Sequence, residues 1–321
     1  MPRAPHAGDW LALAGLTVMW GSAFLFTELA LAALAPSVIV AGRILVAAGF
    51  LSVLLVARGL RLPRDARAWL PMAGVALFGN VVPFHLVTWG QQFIPSALAG
   101  VLMAMMPLFV LSLAHFLVPG ARLTGFRVAG FVAGFLGVAI IIGPEALAGI
   151  QGNMSLLGAL AVLGAAFSYA VSTIIARLSP AARPLVLAAG MLLIGSLVTT
   201  PLALAALPAP AALSLTAAAA LLFLGVLSTG YATVLYYRVV QGPGPAFLSL
   251  VNYLVPAWAV AAGALVLGES LPPAAYGGML LILAGIALSE FGPRLIRSAS
   301  NASPAPHQPV TRTVPETRHE P

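Results

Sequence analysis

Residues 95–120 read PSALAGVLMAMMPLFVLSLAHFLVPG, and residues 244–269 read GPAFLSLVNYLVPAWAVAAGALVLGE. Each opens on small residues, continues as one apolar run, carries a Pro at its centre and closes on a Gly turn. Each run has about the 20 apolar residues that a helix needs to cross a 30 Å hydrocarbon core. Pro107 and Pro256 lie 149 residues apart. The runs that follow agree: Gly130 and Gly137 in one and Gly278 and Gly285 in the other share a seven-residue spacing, offset by 148. Near the start of the chain, Trp20-Gly21-Ser22-Ala23-Phe24 stands where Phe167-Ser168-Tyr169-Ala170-Val171 stands in the second half. The chain reads as an internal repeat of membrane spans.

Working outward, apolar runs between Pro, Gly and Arg interruptions predict ten spans: 10–32, 36–57, 69–90, 96–118, 125–143, 156–178, 185–206, 216–240, 246–268 and 273–291. Composition agrees. The 321 residues are 61% hydrophobic and carry only 15 basic and 8 acidic side chains, too few to cover a soluble surface. Every base is Arg, none is Lys, and there is no Cys, which removes disulfides, thiolate metal sites and Cys nucleophiles. If the N-terminus is cytoplasmic, 14 of the 15 Arg residues fall on the cytoplasmic side, among them Arg58, Arg61, Arg64 and Arg67 after span 2. The pI near 10.8 is therefore an orientation signal and does not argue for nucleic acid. Five spans per half is an odd number, so the two halves must run in opposite senses. The predicted fold is an all-α integral membrane protein, ten transmembrane helices as two inverted five-helix repeats. Its parts are a cytoplasmic N-terminus (1–9), a first repeat (10–143), an external linker (144–155), a second repeat (156–291) and a disordered cytoplasmic tail (292–321). Lys-free, Ala-rich composition fits a GC-rich bacterial genome, so the expected location is the bacterial inner membrane with both termini cytoplasmic.

These features resemble the EamA family of the drug/metabolite transporter superfamily. The resemblance is carried by Trp20-Gly21-Ser22, Arg43, Pro107, Pro256, the Gly268-Glu269 pair and the closing Gly278 and Gly285, over roughly residues 10–291. One departure is Gly120, where the family often has an acid matching Glu269. The resemblance implies a multi-pass carrier, more often an exporter of amino acids, metabolites or toxic compounds than an importer.

The residues themselves give candidates. Trp20, Asn80, Pro107, Ser168, Tyr169, Thr229, Tyr231 and Pro256 all fall within a few residues of mid-bilayer by a rise of about 1.5 Å per residue. A Pro inside a membrane helix frees a carbonyl that lipid cannot satisfy, which points to a central cavity or to kinked packing. Substrate-binding candidates are Trp20, Asn80, His85, Tyr169, Tyr231, Asn252 and Trp258: aromatics that can stack a solute and amides that can orient it. Interhelical packing is the competing reading for each, and for His85 it is a ring bonded to a helix carbonyl. Gating or coupling candidates are Glu28, Arg43, Pro107 and Pro256. Glu28 and Arg43 are the intramembrane charges, on adjacent antiparallel spans, so a mutual ion pair or a watery vestibule is expected.

Enzyme chemistry finds no footing: there is no HExxH, GxSxG or P-loop, and Asp9 and Asp65 both fall on the cytoplasmic side. No metal site and no cofactor are expected. The function these features predict is secondary-active export of a small amino-acid-like, aromatic or cationic metabolite by alternating access. Uptake of a vitamin or metabolite is the alternative; a scaffold or intramembrane enzyme fits less well. The partners expected are the solute and the bilayer, with proton coupling open and the chain a monomer or homodimer.

Overall fold

The computed structural model describes residues 3–121, 124–143, 153–179, 183–207 and 214–302. Ten helices are long and apolar enough to cross a membrane: α1 (Ala7–Leu31), α2 (Pro36–Ala57), α3 (Ala66–Gly90), α4 (Ser96–Leu117), α5 (Gly125–Ile142), α6 (Met154–Leu178), α7 (Pro184–Leu204), α8 (Leu215–Gln241), α9 (Pro245–Leu267) and α10 (Pro273–Gly292). No strand occurs among the described residues. Pro36, Pro184 and Pro245 open α2, α7 and α9 at a first-turn position, where a missing N–H costs nothing. Thr124, Asn153 and Ser214 cap α5, α6 and α8 by accepting N–H bonds from Arg127, Leu156 and Ala217.

Large apolar side chains face outward along the bundle, with Leu215 87% and Leu265 85% exposed. Such a surface is stable against lipid and would aggregate in water. Inside, the main apolar cluster joins α4, α6, α9 and α10 through Leu102, Met105, Val162, Ala259 and Ile282.

The helix contacts obey a two-fold exchange in which each helix swaps with the one five places along. The pairings α5 with α10, α2 with α7 and α4 with α9 map onto themselves. Other extensive pairings come in partners: α1–α9 with α6–α4, α1–α8 with α6–α3, and α2–α8 with α7–α3. The repeated glycines make the exchange concrete. On the antiparallel α5–α10 pair, a Cβ on Gly285 would lie 2.5 Å from the Gly130 carbonyl, and one on Gly278 would lie 2.5 Å from the Gly137 carbonyl. The four positions recognised as equivalent in sequence therefore meet crosswise, as an inverted repeat requires.

Four helices are interrupted. α3, α8 and α9 contain π-helical segments at Leu77–Val81, Phe223–Tyr231 and Gly263–Leu267. α4 is broken at Ala104 and Met105, and its second part begins with Pro107 in the first turn. Pro256 instead lies inside the helical stretch Val251–Ala262, after a break at Ser249 and Leu250.

One boundary differs from expectation. The last helix runs on from Pro273 to Ala302, so the first part of the segment expected to be disordered is helical. After Pro293 the next Pro is Pro304, and no Gly falls between them, so nothing stops the helix there. Residues 303–321, Arg122, and most of the expected linker with Glu145 lie outside the described residues.

Candidate functional site

The candidate residues fall into three groups, set by which helices converge.

The first group joins α1, α8 and α9. Trp258 donates its Nε1–H to Ser22 Oγ at 2.8 Å, and its ring lies against Gly21, where a Cβ would meet Trp258 Cδ1 at 2.6 Å. The Trp20-Gly21-Ser22 triplet is thereby explained residue by residue: a small residue to admit an indole and a hydroxyl to accept its N–H. Trp20 faces Tyr236 with ring centroids 6.0 Å apart. Trp258 remains 39% exposed and Tyr231 43%. Asn252 is half-buried and its amide makes no hydrogen bond among the described residues.

The second group lies where α2 and α3 of one half meet α6 and α8 of the other. Arg43 Nε donates to Thr229 Oγ1 at 2.7 Å, and one Nη reaches Ser228 Oγ at 3.4 Å. Its Cζ sits 3.8 Å above the Phe84 ring, a cation–π arrangement. Phe84 meets Tyr169 edge-on at 6.4 Å. Asn80, on the π segment of α3, is buried at 4% exposure. This segment shows how the backbone is kept satisfied. Val82 N–H bonds the Leu77 carbonyl, five residues back. In the same register Pro83 would serve Phe78 but has no N–H, and Ser168 Oγ on α6 donates to the Phe78 carbonyl at 2.8 Å instead. Replacing Ser168 by Ala should therefore cost about 1–2 kcal/mol, read as a lowered Tm in detergent. The loss should largely vanish in a Pro83→Ala background, whose restored N–H serves the same carbonyl; an equal loss in both backgrounds would refute this account.

The third group lies at the end where α3 finishes and α4 begins. Gln91 on the connection after α3 donates to the Phe24 carbonyl at 2.9 Å and approaches Glu28 Oε2 at 3.5 Å. The Glu269 carboxylate accepts the backbone N–H groups of Ser96 and Ala97, both at 2.8 Å. It thus caps the α4 N-terminus from a position 173 residues away in sequence, where the helix dipole favours an anion. Gly268, at φ 67°, turns the chain so that Glu269 N–H closes on the Gly263 carbonyl and its side chain points at α4.

One expectation is corrected. Glu28 and Arg43 are not paired; among the described residues the only ion pairs join Asp9 to Arg3 and His6. The reason is packing: α1 lies mainly against α9 and α8, and α2 against α7 and α8, so chain neighbours are not close spatial neighbours. His85 stands apart from the other candidates: its Nδ1 bonds the Val81 carbonyl at 2.7 Å, the helix-carbonyl alternative, while its buried Nε2 has no hydrogen-bond partner among the described residues. Two shallow grooves lie on α2, at Ser52, Val53, Val56 and Ala57, and on α7, around Leu193, Leu197 and Pro201. Sequence reading missed Phe84, Ser228 and Gln91. The Ser228-Thr229-Gly230 break in an apolar span was a usable signal; Phe84, one Phe among fifteen, gave none.

The two-fold exchange is incomplete, most clearly around α4 and α9: α4 packs on α1, α5 and α10, but the equivalent pairings of α9 with α6, α10 and α5 are at most marginal. At that opposite end, Gly120 stands where a counterpart of Glu269 would be, so α4 has no carboxylate to offer the start of α9.

Comparison with known proteins agrees with this architecture. A solved crystal structure superposes with a TM-score of 0.64 at 20% identity, covering 91% of this chain and 99% of its own, which shows the fold. The chain is 26% identical to the uncharacterized transporter YvbV of Bacillus subtilis (strain 168), covering 90% of this chain and 93% of that protein. It is 28% identical to a protein of Streptantibioticus cattleyicolor named "Probable terminal-alkyne amino-acid exporter", covering 86% and 91%. The model of the EamA-like transporter family matches twice, over residues 6–143 and 156–291. The chain belongs to the EamA-like transporter family.

Proposed function

We propose that the protein exports a small amino-acid-like, aromatic or cationic metabolite across the bacterial inner membrane, as a secondary carrier working by alternating access. The observation that carries this is the departure from two-fold contacts around α4 and α9, with α4 packed on α1, α5 and α10 and α9 lacking the equivalent neighbours. An inverted repeat can adopt two conformers in which the halves exchange roles. A latched contact at one end and a loose one at the other is what one such conformer looks like. The closed end is where α4 begins, held by Glu269 and by α1 against α4; the loose end is where α6 and α9 diverge.

Orientation follows from the Arg distribution, which favours both termini in the cytoplasm. The loose end then faces the cytoplasm, where an exporter collects its solute. The similarity to a protein named as an amino-acid exporter supports the direction. Sites for the solute are drawn from Trp20, Asn80, Tyr169, Tyr231, Asn252 and Trp258, with His85 set apart by its helix-carbonyl bond. Pro107 and Pro256 are the points about which α4 and α9 bend. The pairs 10–143 and 156–291 are the two moving repeats.

Reconstitution tests this reading. Proteoliposomes loaded with a panel of amino acids and aromatic amines should show efflux of at least one class, and none moving would overturn it. Glu28 is the coupling candidate: it is half-buried and has no cationic partner among the described residues, so its carboxylate is free to take a proton or a cationic group. Glu28→Gln should remove stimulation of transport by a pH gradient while leaving solute exchange intact. Equal stimulation in wild type and variant would eliminate Glu28 as the coupling group.

A further inference from the structure

We propose that Arg43 anchors the carboxylate of a monoanionic solute, so that the transported metabolite bears a free carboxylate. The proposal rests on the transport reading and narrows its substrate class. Among the described residues Arg43 is the one guanidinium set well inside a span, away from both of its ends. Its Cα lies roughly 10 Å into α2 from the Pro36 end. Its side chain does not snorkel back to that interface, since Nε is bonded to Thr229, 14 residues from Leu215 and 12 from Gln241 on α8. An arginine held at this depth needs a counter-charge, and a charge left without one costs several kcal/mol. No carboxylate reaches it among the described residues, because Glu28 is turned toward Gln91 and Glu269 toward the α4 N-terminus.

The groups around it are of one kind. Thr229 Oγ1 accepts from Arg43 and spends its own proton on the Leu224 carbonyl at 2.8 Å, so it has no proton left to give. Ser228 accepts weakly from Arg43 and keeps its O–H to give. Tyr169, edge-on to the Phe84 ring that Arg43 covers, has no hydrogen-bond acceptor for its O–H among the described residues. The second Nη of Arg43 is likewise unbonded. The donors left without an acceptor at this point are a guanidinium N–H, the phenol O–H and the serine O–H. Phe84 covers one face of the guanidinium and leaves its edge for a planar acceptor. A carboxylate accepts several such bonds in one plane. A single fixed positive charge balances a single negative one, and no other Arg lies mid-span, which disfavours phosphate dianions. The site joins both repeats, α2 and α3 with α6 and α8, so an anion bound there bridges the halves that move.

The test is thermal unfolding of the purified full chain in detergent with paired probes: acetate against acetamide, benzoate against benzamide, and L-phenylalanine against its amide. At least one acid should raise the Tm of the wild type where its amide does not. Arg43→Gln should weaken that acid more than tenfold, and Tyr169→Phe or Ser228→Ala about threefold. Acid and amide acting equally, no acid acting on the wild type, or acid preference surviving in Arg43→Gln would overturn the assignment. Should Arg43→Gln not fold, the two milder variants decide, and unchanged acid affinity in both overturns it as well. Acids that bind in this way while no solute crosses proteoliposomes would defeat the transport reading and leave the anion site standing.

Discussion

Replacing Glu269 by Ala is expected to lower the Tm and to open the end of the bundle at which α4 begins. The carboxylate takes two backbone N–H groups of α4 at 2.8 Å each, and both are first-turn donors with no partner inside their own helix. Hydrogen bonds to a charged group contribute about 1.5–3 kcal/mol each, discounted here because Glu269 is only part-buried. A net loss of about 3 kcal/mol follows, which shifts an open–closed equilibrium by roughly a hundredfold. Glu269→Gln should be intermediate, since its amide oxygen can serve one N–H while its NH2 faces the other. The absence of native Cys allows a direct measurement. A Cys placed at Ala99, fully buried on α4, should react with a membrane-impermeant thiol reagent more than tenfold faster in the Glu269→Ala background. Unchanged labelling together with an unchanged Tm would show that the contact holds nothing closed. The opposite end supplies a converse: Gly120→Glu gives α4 an acid at the equivalent place, and by symmetry it should favour closure there. Gly120 has φ 79°, so that substitution also strains the backbone, and its effect should be smaller than the effect of losing Glu269.

The ten spans were legible because span length is imposed by the bilayer and because Pro and Gly mark the ends. The inversion was legible from parity and from Arg placement. Less could be read of the pairings. The expectation that Glu28 meets Arg43 took helices adjacent in the chain to be adjacent in space. In this fold α1 leaves its own repeat to pack on α8 and α9, and Arg43 consequently finds Thr229. Ser22 and Trp258 were both singled out as residues, yet their bond joins positions 236 apart, and nothing local encodes it. The π segments were half visible. Gly79 and Pro83 announce an irregular α3, but the Ser168 hydroxyl that satisfies it belongs to another helix. Asn80 and Thr229, 149 residues apart, both lie on π segments, so the repeat preserved irregular backbone at matched depth while changing the side chain.

The same crosswise logic yields an equally large expected loss of stability. Gly285→Ala should destabilise the protein by about 3 kcal/mol, since its methyl would sit 2.5 Å from a backbone oxygen of Gly130, and a carbonyl inside a helix cannot swing aside. The helices must separate along their whole contact, which is the most extensive helix pairing in the molecule. In a bilayer this contact rests on close packing of small residues, because lipid is as apolar as the side chains it would replace. Gly277 is the control. It neighbours the seam on the same helix but has nothing within 4 Å of an added Cβ, so Gly277→Ala should be neutral or stabilising by up to about 1 kcal/mol. Two further outcomes are fixed by the geometry. Gly137→Ala should match Gly285→Ala, because the two-fold exchange maps one onto the other and each approaches a carbonyl across the seam, of Gly278 and Gly130 respectively. Gly130→Ala combined with Gly285→Ala should cost less than the two single losses together, since one separation of the helices accommodates both methyls. Thermal unfolding of the six proteins, wild type included, measures all of this, and a Gly285→Ala as stable as Gly277→Ala would remove the seam from the account of what holds the two repeats together.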